Sequence, residues 1–353
     1  MLLGFALSVS GLYVLAAAYW ILRRIDKNAS LAFLLGANLI IIALLNRYLL
    51  YYIFGQFVFM VVLYFVINRV FSNRYHSLAW VLMAGLIPFN LSLLKAQYGI
   101  IWSIGATFFV LKSFIILKEA LSSGRLPLLN ALLSLTFLPS LPAGPIFGSK
   151  PMFNENIKDV VTLRDQTIIL MMIGWGGAAL YVFSPYVRDL AASPPTGFLS
   201  MGADMYLSFI ALYLDFSGYS TLAIAFGKLF GIQLPVNFNK PYLSTSIVEF
   251  WRRWHMSLSS SIRIYLFMPL VRKTGAVRNS LVVAFVLAGL WHEFTVQYLL
   301  WGIGHGLALG FISKPPNWLP RLQGHLPMSI VNISGWVLTM TWVSLLSYLV
   351  NLG

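Results

Sequence analysis

The sequence contains no cysteine, and only 10% of its 353 positions are Asp, Glu, Lys or Arg. The first absence excludes disulfides, thiolate nucleophiles and Cys-type zinc or iron–sulfur sites. The second lies far below the roughly 25% charged residues of a soluble domain. Acidic residues are the scarcest, 10 against 24 Lys and Arg, which leaves a net charge of +14. There is no GxSxG elbow, no P-loop, no HExxH and no acidic pair of the glycosidase kind. Phosphate-driven transport and serine or zinc hydrolysis therefore lose support. No internal repeat, low-complexity segment, soluble domain or nucleic-acid signature is found.

What the chain has instead is apolar residues, 59% of the total, with a mean hydropathy of +0.80. This composition predicts an integral membrane protein built as a single domain over 1–353. Residues 1–22 carry no charge; a helix of that length crosses the ~30 Å core of one bilayer. They lack the basic start of a signal peptide, so they are expected to stay as the first span. Further apolar segments lie at 31–45, 49–67, 78–94, 98–117, 126–148, 167–187, 198–227, 280–294, 295–312 and 329–350. No alternating strand pattern of a closed barrel is present, which leaves an all-α polytopic membrane protein of about ten spans.

The basic residues orient it. Arg23, Arg24, Lys27, Arg69, Arg74, Lys118 and Arg125 fall in one set of alternate loops, against Arg47 and Lys95 in the other. The richer side is expected to be cytoplasmic, with the N-terminus outside. Segment 126–148 breaks the alternation, because Lys150, Lys158 and Arg164 follow it and both flanks favour the cytoplasm. Its second half carries Pro139, Pro142 and Pro145, and proline stops a helix. Bare backbone at membrane depth survives only inside protein or along a wet cavity, so a re-entrant element is predicted there. Residues 228–278, with Lys240, Arg252, Arg253, Arg263, Arg272, Lys273 and Arg278, belong to the cytoplasmic side. Segment 280–312 fits either two short helices meeting inside the bilayer or one long bent helix.

Ionisable residues inside such a protein mark its chemistry. His292 follows a long uncharged run in LVVAFVLAGLWHEF, where a neutral imidazole can accept a proton; an interfacial structural residue is the alternative. Glu293 beside it needs a partner, and adjacent helical residues do not face each other. His255 ends EFWRRWH, in which Glu249 stands at salt-bridge spacing from Arg252 and Arg253. That segment reads either as an amphipathic interfacial helix with Trp anchors or as a cationic, aromatic mouth whose arginines suit phosphates. His305 lies between Gly304 and Gly306, a pattern that favours close helix packing over catalysis. Asp215, inside FIALYLDFSGYS, is expected to hold an arginine or backbone amides, while His76 and His325 look like surface loop residues.

The run 212–259, LYLDFSGYSTLAIAFGKLFGIQLPVNFNKPYLSTSIVEFWRRWHMSLS, closely resembles the membrane-bound O-acyltransferase (MBOAT) family, as do PSLPAGPI at 139–146 and GLWHEF with WGIGHG over 289–306. The nearest branch is bacterial: alginate O-acetyltransferases, peptidoglycan O-acetyltransferases and teichoic-acid D-alanyl transferases. The motifs cover roughly the second half of the chain. The resemblance implies an MBOAT-like helical bundle with a re-entrant element and a central funnel, in the bacterial inner membrane. It implies O-acyl transfer, of an acetyl group in the first instance, from a cytoplasmic thioester donor to a hydroxyl of an extracytoplasmic glycan or a partner protein. No bound cofactor or metal is expected; acetyl-CoA or an acyl carrier protein is the donor substrate. His292 matches the principal catalytic histidine and is expected to be the general base. His255 matches the second family histidine and is expected to orient or polarise. Arg252, Arg253, Lys240, Asn239, Trp291 and Asp215 are the expected substrate-binding residues, and a membrane or extracytoplasmic partner acyltransferase is the expected partner.

Three departures from the family pattern stand out. Ile264 follows Arg263 where relatives often read Arg-Asp-Tyr, Glu293 stands where they usually have glycine, and one span alone follows WGIGHG. Two competing readings are an acyltransferase with a lipid or protein acceptor and a transporter or flippase that uses the histidines as a proton relay. The latter predicts matched broken helices in two halves, and a single broken element is visible.

Overall fold

The computed structural model describes residues 2–70, 100–141, 143–150, 161–191, 197–313, 315 and 323–351. Every regular element among them is helical. Six of these helices are long and apolar enough to cross a membrane: Lys27–Leu45, Arg47–Arg69, Leu163–Ala191, Leu199–Leu229, Val296–Ser313 and Met328–Val350. Large apolar side chains such as Leu44, Met171 and Leu338 face outward on them, an arrangement that suits lipid and would be unfavourable in water. The predicted span 78–94 and His76 lie outside the described residues. His325 is exposed, as expected of a loop residue.

The chain divides into two compact units. One comprises Met1–Tyr181 and Tyr219–Pro235. Its helices α1 (Leu2–Ile25), α2 (Lys27–Leu45) and α3 (Arg47–Val70) follow one another with single-residue breaks. Asp26 and Asn46 make those breaks: the Asp26 carboxylate accepts from the Asn28 and Ala29 amides, and the Asn46 side chain from those of Tyr48 and Leu49. These are the residue types that satisfy the free amides of a helix start. The core joins Tyr19, Phe137 and Phe230 edge to face, and the Trp20 indole N–H donates to the Leu229 carbonyl at 2.9 Å.

In the same unit, α4 (Ile100–Ser123) supports the proline-rich segment. α5 (Leu128–Thr136) stops at Phe137, a 3₁₀ turn occupies Leu138–Ser140, and among the described residues no regular helix follows up to residue 149. Ile146, Phe147 and Ser149 are all buried, so the irregular backbone is enclosed in protein. Its polar groups are met by side chains. Tyr219 donates to the Pro139 carbonyl at 3.0 Å and Ser134 to the Gly148 carbonyl at 2.9 Å. Glu119 accepts from both the amide and the hydroxyl of Ser149, at 2.9 and 3.0 Å. The Lys112 ammonium donates to the Ser140 hydroxyl at 2.9 Å and lies 4.3 Å from the centre of the Phe147 ring. Helix α6 (Leu163–Ala178), begun by a Thr162–Asp165 capping box, packs Ile169 and Ile173 on Leu222, Ala225 and Phe226.

The other unit comprises Val182–Gly218 and Val236–Gly353. A π turn over Ala179–Phe183 leads into α7 (Ser184–Ala191), and α8 (Phe198–Leu229) follows. Three short helices, α9 (Ile247–Arg253), α10 (Met256–Ile262) and α11 (Met268–Thr274), precede α12 (Val277–His292), α13 (Val296–Ser313) and α14 (Met328–Asn351), with a π turn at Arg263–Phe267. The open question over 280–312 resolves as two helices joined by the turn 293–295. They pack through glycine. A Cβ on Gly302 would lie 2.5 Å from the Phe285 carbonyl oxygen, and one on Gly306 2.6 Å from the Val282 Cα. Gly304 in turn faces Leu346 of α14, where a Cβ would lie 2.9 Å from its side chain. The small residues around His305 are therefore packing residues, as their spacing predicts.

Candidate active site

The site is built where residues 236–259 fold back on themselves. The Asn239 amide donates to the Arg253 carbonyl and the Met256 amide to the Asn237 carbonyl, both at 2.9 Å. Asn237 is fully buried, and its side-chain oxygen accepts from the Ser257 hydroxyl at 2.5 Å. Ser246 caps α9 by accepting from the Glu249 amide, while Glu249 reaches back to the Thr245 amide at 2.8 Å and across to Arg253 at 2.6 Å. The Thr245 amide first, and the Arg253 guanidinium with it, holds the Glu249 carboxyl below its ordinary range. Of the two arginines at helical spacing, Arg253 takes the ion pair, and Arg252 makes none among the described residues.

Two non-glycine residues among those described have left-handed backbones, Lys240 (φ 48°) and His255 (φ 41°), and both lie in this fold-back. Such conformations are rare for residues with a Cβ and persist only where the surroundings impose them. Here the Asn239–Arg253 and Met256–Asn237 backbone hydrogen bonds flank both residues. Aromatic packing completes the frame: Trp254, Phe209 and Phe250 form a triangle of rings, with Trp254 stacked at 5.4 Å on each phenylalanine and the two phenylalanines 6.2 Å apart, and Phe238 meets Trp254 edge-on at 5.1 Å. Next to it His255 is 2% exposed, with its ring 4.7 Å from Phe216. Burial, and after it the neighbouring His292 imidazole, pushes the His255 pKa well below the usual histidine range. The two histidines, 37 positions apart in sequence, thus lie within electrostatic reach of each other.

His292 ends α12 and is partly exposed. Its ring stacks on Tyr298 at 5.7 Å and meets Trp291 at 4.7 Å and Trp301 at 5.9 Å. His305 is 2% exposed, enclosed by Trp251, Trp301 and Phe285, and its Nδ1 accepts from the Trp251 indole at 3.3 Å. Trp301 therefore touches both His292 and His305. Of the three imidazoles, His292 alone is partly exposed.

The remaining predicted site residues are dispersed. Asn239 and Lys240 are exposed at the fold-back, whereas Trp291 is buried and packs on His292. Asp215 has the arginine partner expected of it, Arg188 at 3.5 Å, but its side chain is 44% exposed rather than buried. Tyr298, Trp301 and Trp251 were not singled out from sequence; the Tyr-x-x-Trp spacing on α13 was the available signal. Among the described residues no group of three His, Asp or Glu could hold a metal ion.

Residues 55–314 match the model of MBOAT, the membrane-bound O-acyltransferase family. The chain is 30% identical to a peptidoglycan O-acetyltransferase of Helicobacter pylori over 62% of its length and 42% of the relative's. It is 31% identical to a probable alginate O-acetylase of Pseudomonas syringae pv. tomato, over 72% of its length and 51% of that protein's. With a teichoic acid D-alanyltransferase of Bacillus subtilis it shares 29% identity over 66% of each chain. The chain spans between 42% and 66% of the length of these relatives.

Proposed function

Since the chain belongs to the membrane-bound O-acyltransferase family, we propose that it carries an acyl group, acetyl in the first instance, from a cytoplasmic thioester to a hydroxyl of an extracytoplasmic glycan or a partner protein. The observation that carries the reading is the pairing of an accessible His292 with a buried His255. His292 takes the proton of the acceptor hydroxyl as its oxygen attacks the thioester carbonyl. The carbon–sulfur bond then breaks, and the departing thiolate takes that proton from the imidazolium, which leaves ester and thiol. A positioned base of this kind contributes about 10²–10⁴-fold. Tyr298 and Trp301 hold the His292 ring in place, and the neutral His255 orients the reactants.

Lys240 and Asn239, exposed at the fold-back, are assigned to the donor side, acetyl-CoA or an acyl carrier protein, while Arg253 braces the fold-back through Glu249. The names of the relatives support a cell-surface glycan or polymer as acceptor, and a membrane or extracytoplasmic partner acyltransferase is assigned the second transfer. The charge distribution supports an inner-membrane protein with its N-terminus outside, and the buried proline-rich segment supports a re-entrant element beside a central funnel in a single domain of about ten spans. The test is reconstitution in vesicles with acetyl-labelled CoA on one face, following thioester loss in wild type and His292→Ala. Loss in the wild type alone is expected; equal loss in both removes His292 from the reaction.

A further inference from the structure

A cavity of about 390 Å³ opens in the second unit between α10, α12 and α13. That volume is within the range of small-ligand sites. Its walls are mostly apolar. Trp251, Phe285, Trp301 and Leu309 form them, and Ala284 and Ala288, on the same face of α12, leave the open space. Arg252 and Arg263 also line it; both are exposed, and neither has an acidic partner among the described residues. Neither His255 nor His292 is among its lining residues.

We propose that this cavity holds one acyl chain of an anionic phospholipid whose phosphate sits on Arg252 and Arg263. The chemistry matches at both ends. Two unpaired guanidiniums bind a phosphate through several charge-assisted hydrogen bonds, and an apolar slot lined by aromatic rings takes a hydrocarbon chain. The membrane itself supplies such an amphiphile. A thioester donor fits less well: neither His255 nor His292 lines the cavity, and the amides of a pantetheine arm need hydrogen-bond partners. Ser259 and Ser260 are the uncharged hydroxyls on the wall, and the Ser259 hydroxyl already donates to the Trp254 carbonyl. Because Trp251 and Trp301 are both cavity wall and neighbours of His305 and His292, the bound chain packs against the rings that hold the site.

The test is native mass spectrometry of protein purified in neutral detergent, stripped of lipid and titrated with phosphatidylglycerol or phosphatidylcholine. One phosphatidylglycerol per chain should be retained at energies that release phosphatidylcholine. The double variant Arg252→Gln/Arg263→Gln, altered at exposed positions, should lower that retention at least tenfold, and Ala288→Phe should do so with both arginines intact. Arg272→Gln/Arg278→Gln, with the same loss of charge outside the cavity, should leave it unchanged. Equal retention of the two lipids, or an equal loss in both double variants, overturns the proposal. Displacement of phosphatidylglycerol by coenzyme A at equimolar concentration also overturns it and transfers the cavity to the thioester donor. None of these readouts depends on acyl transfer.

Discussion

Lys112 and His292 are ionisable side chains set in apolar sequence, one in each unit, and the protein uses them in opposite ways. Lys112 is 2% exposed and spends its ammonium on a hydroxyl and an aromatic ring, holding a proline-broken segment in place. Glu119, seven positions further on the same helix, holds the other end of that segment through Ser149. His292 is held by rings, keeps part of its surface open and lies within electrostatic reach of a second imidazole. An ionisable group at membrane depth is a candidate for function, yet access and neighbours decide whether it braces the backbone or does chemistry.

The same substitution in the two regions sharpens the contrast. A Cβ on Gly289, one turn before His292, would collide with the Tyr298 carbonyl, and backbone cannot yield cheaply. Gly289→Ala should displace His292 and lower acyl transfer by about 10–100-fold, since misplacement of the order of 1 Å costs up to that much; gel filtration should show the protein still folded. A Cβ on Gly148 would instead displace the Glu119 carboxylate from Ser149. Gly148→Ala should lower stability by about 1.5–3 kcal/mol, the worth of a hydrogen bond to a charged group, read as a fall in melting midpoint. If both variants lose activity in proportion to stability, the contrast between the regions is broken.

Smaller effects test the two roles one by one. Lys112→Met keeps the volume and removes one hydrogen bond from a charged group, so it should cost about 1.5–3 kcal/mol, whereas Lys112→Ala also opens a cavity and should cost about 2–5 kcal/mol. Equal midpoints for the two would mean that the ammonium rather than the packing matters. At His255 the left-handed backbone should make His255→Gly about 1 kcal/mol more stable than His255→Ala, although both lose the imidazole. The smallest effect concerns Glu249. Its carboxyl is held below the ordinary value of 4.5 in the folded state, so its contribution is present above that pH and is lost as pH falls through the folded value. Its side chain is 31% exposed, so solvent screens the pair. Melting midpoints between pH 6 and pH 3 should fall slightly more for wild type than for Glu249→Gln.

Of the candidate site, the local geometry within its short motifs was legible in the sequence, and the rings that frame His292 and His305 were not. The Glu249–Arg253 spacing, the glycine packing around His305 and the helix break among the prolines each follow from neighbours a few positions apart. Lys112 and Glu119 escaped notice because their partners are not acids or bases of opposite sign. They are a serine hydroxyl 28 positions away and a backbone amide 30 positions away, contacts that leave no pattern of charge to read. Asp215 escaped in the other direction: its apolar surroundings in sequence suggested burial, while the helix turns it toward Arg188 at a half-exposed face. The choice between one bent helix and two was open because apolar periodicity runs through 280–312 and the turn is made by just three residues, one of them Glu293.

The shortness of α12 bears on how the protein is made. Val277–His292 is an apolar helix of 16 residues, fewer than the roughly 20 a lone span needs to cross a bilayer. It is clasped along α13 by glycines that leave no gap between the backbones. The expected route is insertion of the two helices together as a hairpin, once α13 has been made. Until then His292 has neither Tyr298 nor Trp301 beside it, so a chain arrested before α13 lacks the rings that frame the candidate base.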